Sequence, residues 1–340
     1  MRASRIACRS ADWRQPVIRN VLALFLTLVI MIQSPATAAD APPRPRGPVW
    51  QPTGHVQIPL WPNGLRIAQP EVDGPEATVT GSVPVGGRSW TAILNVTVPT
   101  MTIYAPKATN AHAAIMVFPG GGYKALAIDL EGEEICDWVT SMGVTCVLLK
   151  YRVPQDWHRD KEHEQAPSVE LPVQDAQRAM GILRQRAASL KIDPNKIGVI
   201  GFSAGGHLVA AISNADKRSY SPIDAADQLS SRPNFAIALY PGHLWTDDMP
   251  VDRTRLAPWN TVSRNAPPTF LLQSSTDAVD DVRNTMFYAL ALGDAGVPVD
   301  LHLYAGTAHA FGLRPSVNAI STAWPALVEA WLKRIKVLDL

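Results

Sequence analysis

The stretch Lys196-Ile-Gly-Val-Ile-Gly-Phe-Ser-Ala-Gly-Gly-His-Leu208 joins an apolar run to a serine that is flanked by glycines. The apolar run predicts a buried strand, and the residues from Ala204 onward have the periodicity of a helix. Ser203 then lies at the sharp corner between strand and helix, where a strained backbone exposes its hydroxyl. The N–H groups at the start of the helix point to where a negatively charged oxygen would form. The stretch therefore predicts a nucleophilic serine on an α/β scaffold.

Short apolar runs alternate with helix-period segments from about residue 91 to the end of the chain. This alternation is typical of a mostly parallel sheet that is covered by helices on both faces. The first runs have no helix between them, so the sheet is expected to begin antiparallel. The runs are 93–98, 101–104, 113–118, 144–151, 196–202, 235–240, 269–273 and 299–304, and the helical segments lie near 131–142, 172–190, 204–214, 281–295 and 318–336.

Two downstream residues complete the chemistry that Ser203 needs. A serine nucleophile requires a base and an acid that orients the base, and after such a corner the chain order is serine, acid, histidine. Asp277 and His309 each follow a predicted strand in that order. Asp280 and Asp281 compete for the acid role, but they lie further into the loop and are expected to cap the next helix. Ser203, Asp277 and His309 are therefore the predicted catalytic residues.

The segment Val117-Phe-Pro-Gly-Gly-Gly-Tyr123 follows a predicted strand and precedes a helix. Three glycines at this place let backbone N–H groups turn inward with no side chain in the way. Gly121 and Gly122 are predicted to bind the oxyanion together with the N–H of Ala204. Tyr123, directly after the glycines, is predicted to form a wall of the substrate pocket.

Two irregular segments, 154–168 and 241–268, follow predicted strands and are the candidate walls of a ligand site. The second segment contains Trp245 and Trp259. Flat aromatic faces stack on sugar rings, which favours a carbohydrate ester as substrate, whereas the alternative is that both rings fill the packing under long loops.

Other polar residues near these motifs are interpreted as structural. His207 lies four residues after Ser203 and points along the helix. Asp129 and Glu131 favour the dipole of the helix that they begin, and a supporting role at the catalytic site is the alternative. His158 and His163 have acidic neighbours, but their spacing does not match a zinc-protease helix. No metal and no cofactor are predicted.

Composition excludes several classes of protein. The 340 residues are 46% hydrophobic and 18% charged, which is too apolar for a disordered chain, and three cysteines are too few for a disulfide scaffold. With 31 basic and 30 acidic residues, no basic excess indicates nucleic acid as a partner.

The N-terminus has the three parts of a secretory signal. Five arginines precede an apolar run of 12 residues, Val21–Ile32, and small residues follow at 34–39. Cleavage is expected after Ala38, so the mature protein would be exported to the periplasm or the extracellular space and would not be held at a membrane. The alternative is an uncleaved anchor, although the run is short for a bilayer span. Residues 39–90, rich in Pro and Gly, are interpreted as a lead-in that wraps a catalytic domain, 91–340.

Cys136 and Cys146 fall on a predicted helix and on the strand that follows it. A disulfide between them is geometrically feasible in an oxidising compartment, and two buried thiols are the alternative. The sequence leaves both open.

The chain resembles secreted esterases of the α/β-hydrolase fold that are grouped with bacterial feruloyl and acetylxylan esterases. The resemblance implies hydrolysis of acyl esters, on small molecules or plant polysaccharides, without a cofactor. It also has departures: Gln273 and Thr276 stand where relatives tend to have His and Asp, and Ala308 and Ala310 flank His309 where Gly is usual. The matching segments are 58–62, 117–123, 129–132, 149–154, 175–179, 192–194, 201–207 and 301–313.

Three alternatives accompany this interpretation. One is a general short-chain carboxylesterase of the hormone-sensitive-lipase type. Another is a peptidase of the prolyl-oligopeptidase type, which usually carries a large N-terminal domain that about 50 lead-in residues cannot supply. The third is a binding protein that keeps the fold without catalysis, and the complete set of serine, acid and histidine argues against it.

Overall fold

The computed structural model describes residues 49–62, 67–153, 169–246, 255–306, 308–315 and 320–339, all within the compact unit Pro45–Leu340. The predicted signal segment, 1–38, the predicted wall 154–168 and residues 247–254 of the second wall lie outside these ranges. None of the helices within them is both long and apolar enough to cross a membrane.

Eleven strands and five α-helices are present in the described ranges. The strands are β1 (Gln57–Pro59), β2 (Ala77–Thr80), β3 (Thr91–Leu94), β4 (Thr100–Tyr104), β5 (Ala114–Phe118), β6 (Ala125–Ala127), β7 (Thr145–Lys150), β8 (Ile197–Phe202), β9 (Ala236–Leu239), β10 (Thr269–Ser274) and β11 (Val299–Tyr304). The helices are α1 (Glu134–Ser141), α2 (Glu170–Gln185), α3 (Ala204–Asn214), α4 (Arg283–Asp294) and α5 (Ile320–Arg334).

Eight of these strands form the central sheet, in the order β1-β4-β7-β5-β8-β9-β10-β11. The pairs β1·β4 and β4·β7 are antiparallel, and every later pair is parallel. All residues of β5, β7, β8, β9 and β10 are buried, and because successive side chains of a strand point to opposite faces, both faces of the sheet are covered. The predicted fold class, a mostly parallel sheet with an antiparallel start, is confirmed.

A second, three-stranded sheet in the order β2-β3-β6 was not predicted. The run 93–98, expected in the central sheet, contributes β3 to this small sheet instead, and β2 comes from the predicted lead-in. β6 pairs with β3 and follows the triple glycine directly. The N–H of Ala125 donates to the carbonyl of Gly121 at 3.1 Å, and that of Ala127 to the carbonyl of Gly120 at 2.9 Å. The small sheet therefore fixes the end of the glycine loop that leads into β6.

A buried ion pair fixes the chain where β7 ends. The guanidinium of Arg152 and the carboxylate of Asp175 on α2 are both fully buried, and their closest atoms lie 2.8 Å apart. The indole N–H of Trp61 donates to the same carboxylate at 2.8 Å. Because removing one partner of such a pair leaves an uncompensated buried charge, the three residues restrain one another.

Cys136 on α1 and Cys146 on β7 form a disulfide, with their Cα atoms 5.2 Å apart. Of the two alternatives that the sequence left open, the structure has the disulfide rather than two thiols. It joins the helix that follows the glycine loop to the central sheet.

Reduction of this disulfide is expected to lower the free energy of unfolding by about 2–3 kcal/mol, because it releases a short closed loop in the unfolded chain. Urea unfolding with and without reductant measures the difference. The Cys136→Ala/Cys146→Ala double variant is the control, since reductant should not change its stability. An equal effect of reductant on both proteins would contradict the prediction.

Candidate active site

Ser203 lies at the corner between β8 and α3 with φ 52° and ψ −120°. A positive φ is costly for a residue with a side chain, at roughly 1–3 kcal/mol, and it persists only where the surroundings enforce it. Here the N–H of Ser203 donates to the carbonyl of Leu239 at 3.0 Å, and its carbonyl accepts the N–H groups of His207 and Gly242 at 3.1 and 3.3 Å. The strained serine backbone predicted from the sequence is present.

Gly205 shows why the residue two positions after the serine has no side chain. A Cβ atom at this position would lie 2.0 Å from the carbonyl oxygen of Phe118, at the end of β5. The start of α3 therefore approaches the backbone that leads into the glycine loop, which brings that loop beside Ser203.

The three predicted catalytic residues come together at the carboxyl ends of β8, β10 and β11. Nε2 of His309 lies 3.1 Å from Oγ of Ser203, and its Nδ1 lies 2.7 Å from Oδ2 of Asp277. The Asp277 side chain is fully buried and that of His309 is 11% exposed. Oδ1 of Asp277 accepts the N–H of Val279 at 2.8 Å, which fixes the carboxylate.

Three carboxylates near the imidazole of His309 affect its pKa. Burial acts to lower the pKa of His309, but the hydrogen bond and charge of Asp277, with the charges of Asp280 and Glu131, outweigh burial and raise it above 6.5. The site is therefore built to stabilise an imidazolium once one forms.

The expectation that Asp280 caps the next helix is wrong, and Asp281 lies one residue before the N-cap of α4, Val282. Oδ1 of Asp281 accepts the N–H of Arg283 at 2.8 Å at the start of α4. Asp280 turns the other way, and its Oδ2 lies 3.2 Å from Oγ of Ser203 and 3.7 Å from Nε2 of His309. The spacing of three residues from Asp277 is the signal that could have placed it on the same turn.

The predicted oxyanion loop carries left-handed glycines, with φ 135° at Gly121 and 62° at Gly122. Within the described part of the chain, no hydrogen bond uses the N–H groups of Gly121, Gly122 or Ala204. The preceding N–H, that of Gly120, donates to Oε2 of Glu131 at 2.8 Å. The loop is therefore anchored at Gly120, and the next N–H groups remain available to a ligand.

Glu131 is buried, and its contacts fit the supporting role at the site that the sequence left open beside an effect on the helix dipole. Besides the bond from Gly120, its Oε1 accepts the hydroxyl of Tyr240 at 2.9 Å. That hydroxyl accepts the N–H of Gly312 at 3.2 Å, in the loop that carries His309. Burial raises the pKa of Glu131, and both hydrogen bonds oppose this shift.

Tyr123 belongs to a buried cluster with two histidines. Its side chain is only 3% exposed, and its hydroxyl lies 2.8 Å from Nδ1 of His207. The ring stacks at 5.8 Å from that of His243. Burial lowers the pKa of His207 to about 4, and burial with the charge of His207 lowers that of His243 to about 3. Both histidines are therefore neutral at pH 7.

Both tryptophans of the predicted substrate wall line a cavity of about 250 Å³ that also contains Asp280. The guanidinium of Arg283 lies 4.5 Å above the Trp245 ring, and the backbone N–H of Trp245 donates to the side chain of Asn284 at 2.8 Å. These contacts hold Trp245 against α4. His158 and His163 lie outside the described ranges, and within those ranges no group of three His, Cys, Asp or Glu could hold a metal ion.

Comparison with known proteins gives consistent likenesses. The BD-FAE family matches residues 101–240. The acetylxylan esterase of Xylanibacter ruminicola is 30% identical over 231 residues, which cover 62% of this chain and 43% of that protein. Among solved structures, the acetyl ester-xyloside bifunctional hydrolase of Caldicellulosiruptor lactoaceticus is 29% identical with a TM-score of 0.65, and the match covers 84% of this chain and 97% of that one.

A butyrate-bound esterase of Thermogutta terrifontis is 25% identical with a TM-score of 0.58, covering 72% of this chain and 92% of that one. The chain has the α/β-hydrolase fold. The resemblance to α/β-hydrolase esterases is therefore confirmed. Further curated relatives are also named as esterases or ester hydrolases, the class of enzyme that the sequence predicts for this chain. The chain spans less than half of the length of its acetylxylan esterase relative.

Stability of the hydrolase is expected to fall as pH drops from 6.5 towards 4, because of His207. The unfolded chain takes up a proton at this residue near pH 6.5, whereas the folded one does so only near its lowered pKa of about 4. The contribution is on the order of 3 kcal/mol. His207→Asn should therefore lose less stability than the wild type between pH 7 and pH 4 in urea titrations.

The exposed residue His112 supplies a matched control for this prediction. His112→Asn should keep the pH dependence of the wild type. If His207→Asn and His112→Asn show the same slope of unfolding free energy against pH, protonation of the buried cluster does not govern acid stability.

Proposed function

We propose that the hydrolase cleaves carboxylic acyl esters with Ser203 as nucleophile, His309 as general base and Asp277 as the orienting acid. One observation supports this most: an unbroken line of contacts runs from Oγ of Ser203 through both nitrogens of His309 to the buried Asp277 carboxylate. With Nδ1–H bound to Asp277, the lone pair of Nε2 faces the serine, which is the tautomer that proton removal requires.

Acylation begins when Oγ of Ser203 bonds to the carbonyl carbon and its proton moves to Nε2 of His309. The former carbonyl oxygen becomes an oxyanion, and the N–H groups of Gly121, Gly122 and Ala204 bind it. Cleavage of the carbon–oxygen bond then releases the alcohol, whose oxygen takes the proton from Nε2. Water repeats the sequence on the acyl-enzyme and frees the acid, so the enzyme returns to its initial state.

The substrates we propose are short acyl esters, foremost acetyl esters on plant polysaccharides. Two similar proteins are named for acetyl esters and xylan or xylosides. Asp280, 3.2 Å from Oγ of Ser203, lines a cavity of about 250 Å³, below the size of most pockets for drug-sized ligands, which favours a small group over a long lipid chain. Its two tryptophans offer surfaces on which a sugar ring can stack.

Export of the hydrolase is part of the same proposal. The basic and apolar N-terminal segment has the pattern of a secretory signal. The disulfide between Cys136 and Cys146 is an independent argument, because such bonds persist in the periplasm and outside the cell but are rare in the cytosol.

Ser203→Ala is expected to lower kcat for a p-nitrophenyl acetate by roughly 10⁴–10⁶-fold while leaving the circular dichroism spectrum unchanged, because the nucleophile is lost and the fold is not. Ser213→Ala is the matched control. It removes a buried hydroxyl from the same helix, and within the described residues this hydroxyl has no hydrogen-bond partner.

The same assay separates the alternatives. Near-wild-type turnover by Ser203→Ala would overturn the mechanism. Faster cleavage of a matched p-nitroanilide than of the ester by the wild type would favour a peptidase, and a wild type that turns over neither would favour a binding protein.

Trp245→Ala and Trp259→Ala are expected to raise KM for acetylated xylan about tenfold if the rings stack on sugar, which corresponds to roughly 1–2 kcal/mol of binding. A small aryl acetate does not extend to the rings, so its kcat/KM should barely change. Steady-state kinetics of both variants on both substrates provide the measurement. Equal losses on the two substrates would make the rings packing elements and would remove this support for a carbohydrate ester.

A further inference from the structure

Asp280 is a second carboxylate at the site, and the mechanism above does not use it. Its Oδ2 lies 3.2 Å from Oγ of Ser203, while Nε2 of His309 lies 3.1 Å from the same oxygen. The serine has a single hydroxyl proton, so it can donate to only one of these two acceptors at a time. In the free enzyme, Asp280 therefore competes with the base for the proton that must be removed.

The surroundings of Asp280 fix its position from both sides. Its N–H donates to Oδ1 of Asp277 at 3.1 Å, and its carbonyl accepts the side-chain amide of the fully buried Gln273 at 2.6 Å. Gly242 leaves the space for its carboxylate, because a Cβ atom there would lie 2.5 Å from Oδ1 of Asp280. These contacts place the carboxylate in one defined position beside Ser203.

A carboxylate held in this way needs donors, and the cavity is where a further one can come from. The Asp280 side chain is only 15% exposed, and burial raises its pKa against the opposing charge of His309. An ionised carboxylate has acceptor sites and no donor, so a group that binds it must carry an N–H or O–H. Asp280 lines the same cavity as Trp245, Thr246 and Trp259, which a ligand can enter.

The location of Asp280 relative to His309 indicates which part of an ester it would contact. Nε2 of His309 gives its proton to the departing alcohol oxygen, so that oxygen must come within hydrogen-bond distance of Nε2. Oδ2 of Asp280 is 3.7 Å from the same nitrogen. The carboxylate therefore lies beside the alcohol of the substrate, within reach of a group on the next carbon.

We propose that Asp280 selects esters whose alcohol carries a free hydroxyl on the carbon next to the one that bears the ester oxygen. Asp280 would accept a hydrogen bond from that hydroxyl. Partly acylated sugars and polyols have this arrangement, and esters of simple alcohols do not. A substrate hydroxyl that binds Oδ2 weakens the attraction of this oxygen for the proton of Ser203, which favours donation to Nε2 of His309, so binding of the correct alcohol also prepares the nucleophile. This inference rests on the proposed esterase function.

Two acetates of equal length test the proposal. In 2-hydroxyethyl acetate a hydroxyl stands where propyl acetate has a methyl group, so the ratio of their kcat/KM values isolates the hydroxyl. Wild type, Asp280→Ala and the isosteric Asp280→Asn are compared, with Asp281→Asn as the control. Asp281 is a neighbouring carboxylate that lines the same cavity but forms an exposed ion pair with Arg283.

The wild type is expected to prefer the hydroxylated ester by about tenfold or more, because hydrogen bonds to a charged group are the stronger kind. In Asp280→Ala, the ratio of the two kcat/KM values should fall close to the ratio of the uncatalysed hydrolysis rates of the two esters. Asp280→Asn should also lower the ratio, whereas Asp281→Asn should leave it at the wild-type value. A wild-type ratio near one, or a ratio that survives both Asp280 substitutions or falls equally in Asp281→Asn, would overturn the proposal. Failure of the esterase function itself would be distinct, since the wild type would then hydrolyse neither acetate.

Discussion

The buried carboxylate of Glu131 connects the loops from which the active site is built. One oxygen accepts the N–H of Gly120 in the glycine loop, and the other accepts the hydroxyl of Tyr240 at the end of β9. The Tyr240 hydroxyl in turn accepts the N–H of Gly312, and its ring lies 4.9 Å from that of His309. A shift in any of these segments therefore strains the others, and the oxyanion loop and the histidine loop keep a fixed relation.

A buried carboxylate such as that of Glu131 requires hydrogen-bond donors around it, and this requirement explains much of the structure near the site. It only accepts hydrogen bonds, so each of its donors must be present, and an unsatisfied buried group costs about 1–3 kcal/mol. Glu131 lies on a π-helical turn, Asp129–Glu133, a rare geometry that recurs at functional sites. Oδ1 of Asp129 on the same turn accepts the N–H of Thr91 at 2.8 Å, so the turn is also tied to the small sheet.

Patterns among near neighbours were sufficient to predict β4, β5 and β7 to β11 of the central sheet. They also bring Ser203, Asp277 and His309 together, because loops at the carboxyl ends of parallel strands share one edge. In the small sheet, β3 was recognised as an apolar run but expected in the central sheet, and the short strands β2 and β6 were not recognised. Glu131 and Asp280 were assigned to helix ends because rules for dipoles and caps consider only adjacent residues. Their actual partners, Tyr240 and Ser203, lie 109 and 77 positions away along the chain.

Asp277 and Asp280 are carboxylates on one turn whose roles differ because their positions differ. Asp277 uses both oxygens within the protein, one on Nδ1 of His309 and the other on the N–H groups of Val279 and Asp280. Its side chain is fully buried, so it orients the base but does not face a substrate. Asp280 lies on the opposite side of the imidazole and faces the cavity, where a carboxylate can recognise a ligand. Oδ1 of Asp277 accepts the N–H of Asp280. Asp277 therefore orients the base and also positions Asp280, the residue that we propose recognises the alcohol. A change at Asp277 must then alter rate and selectivity together.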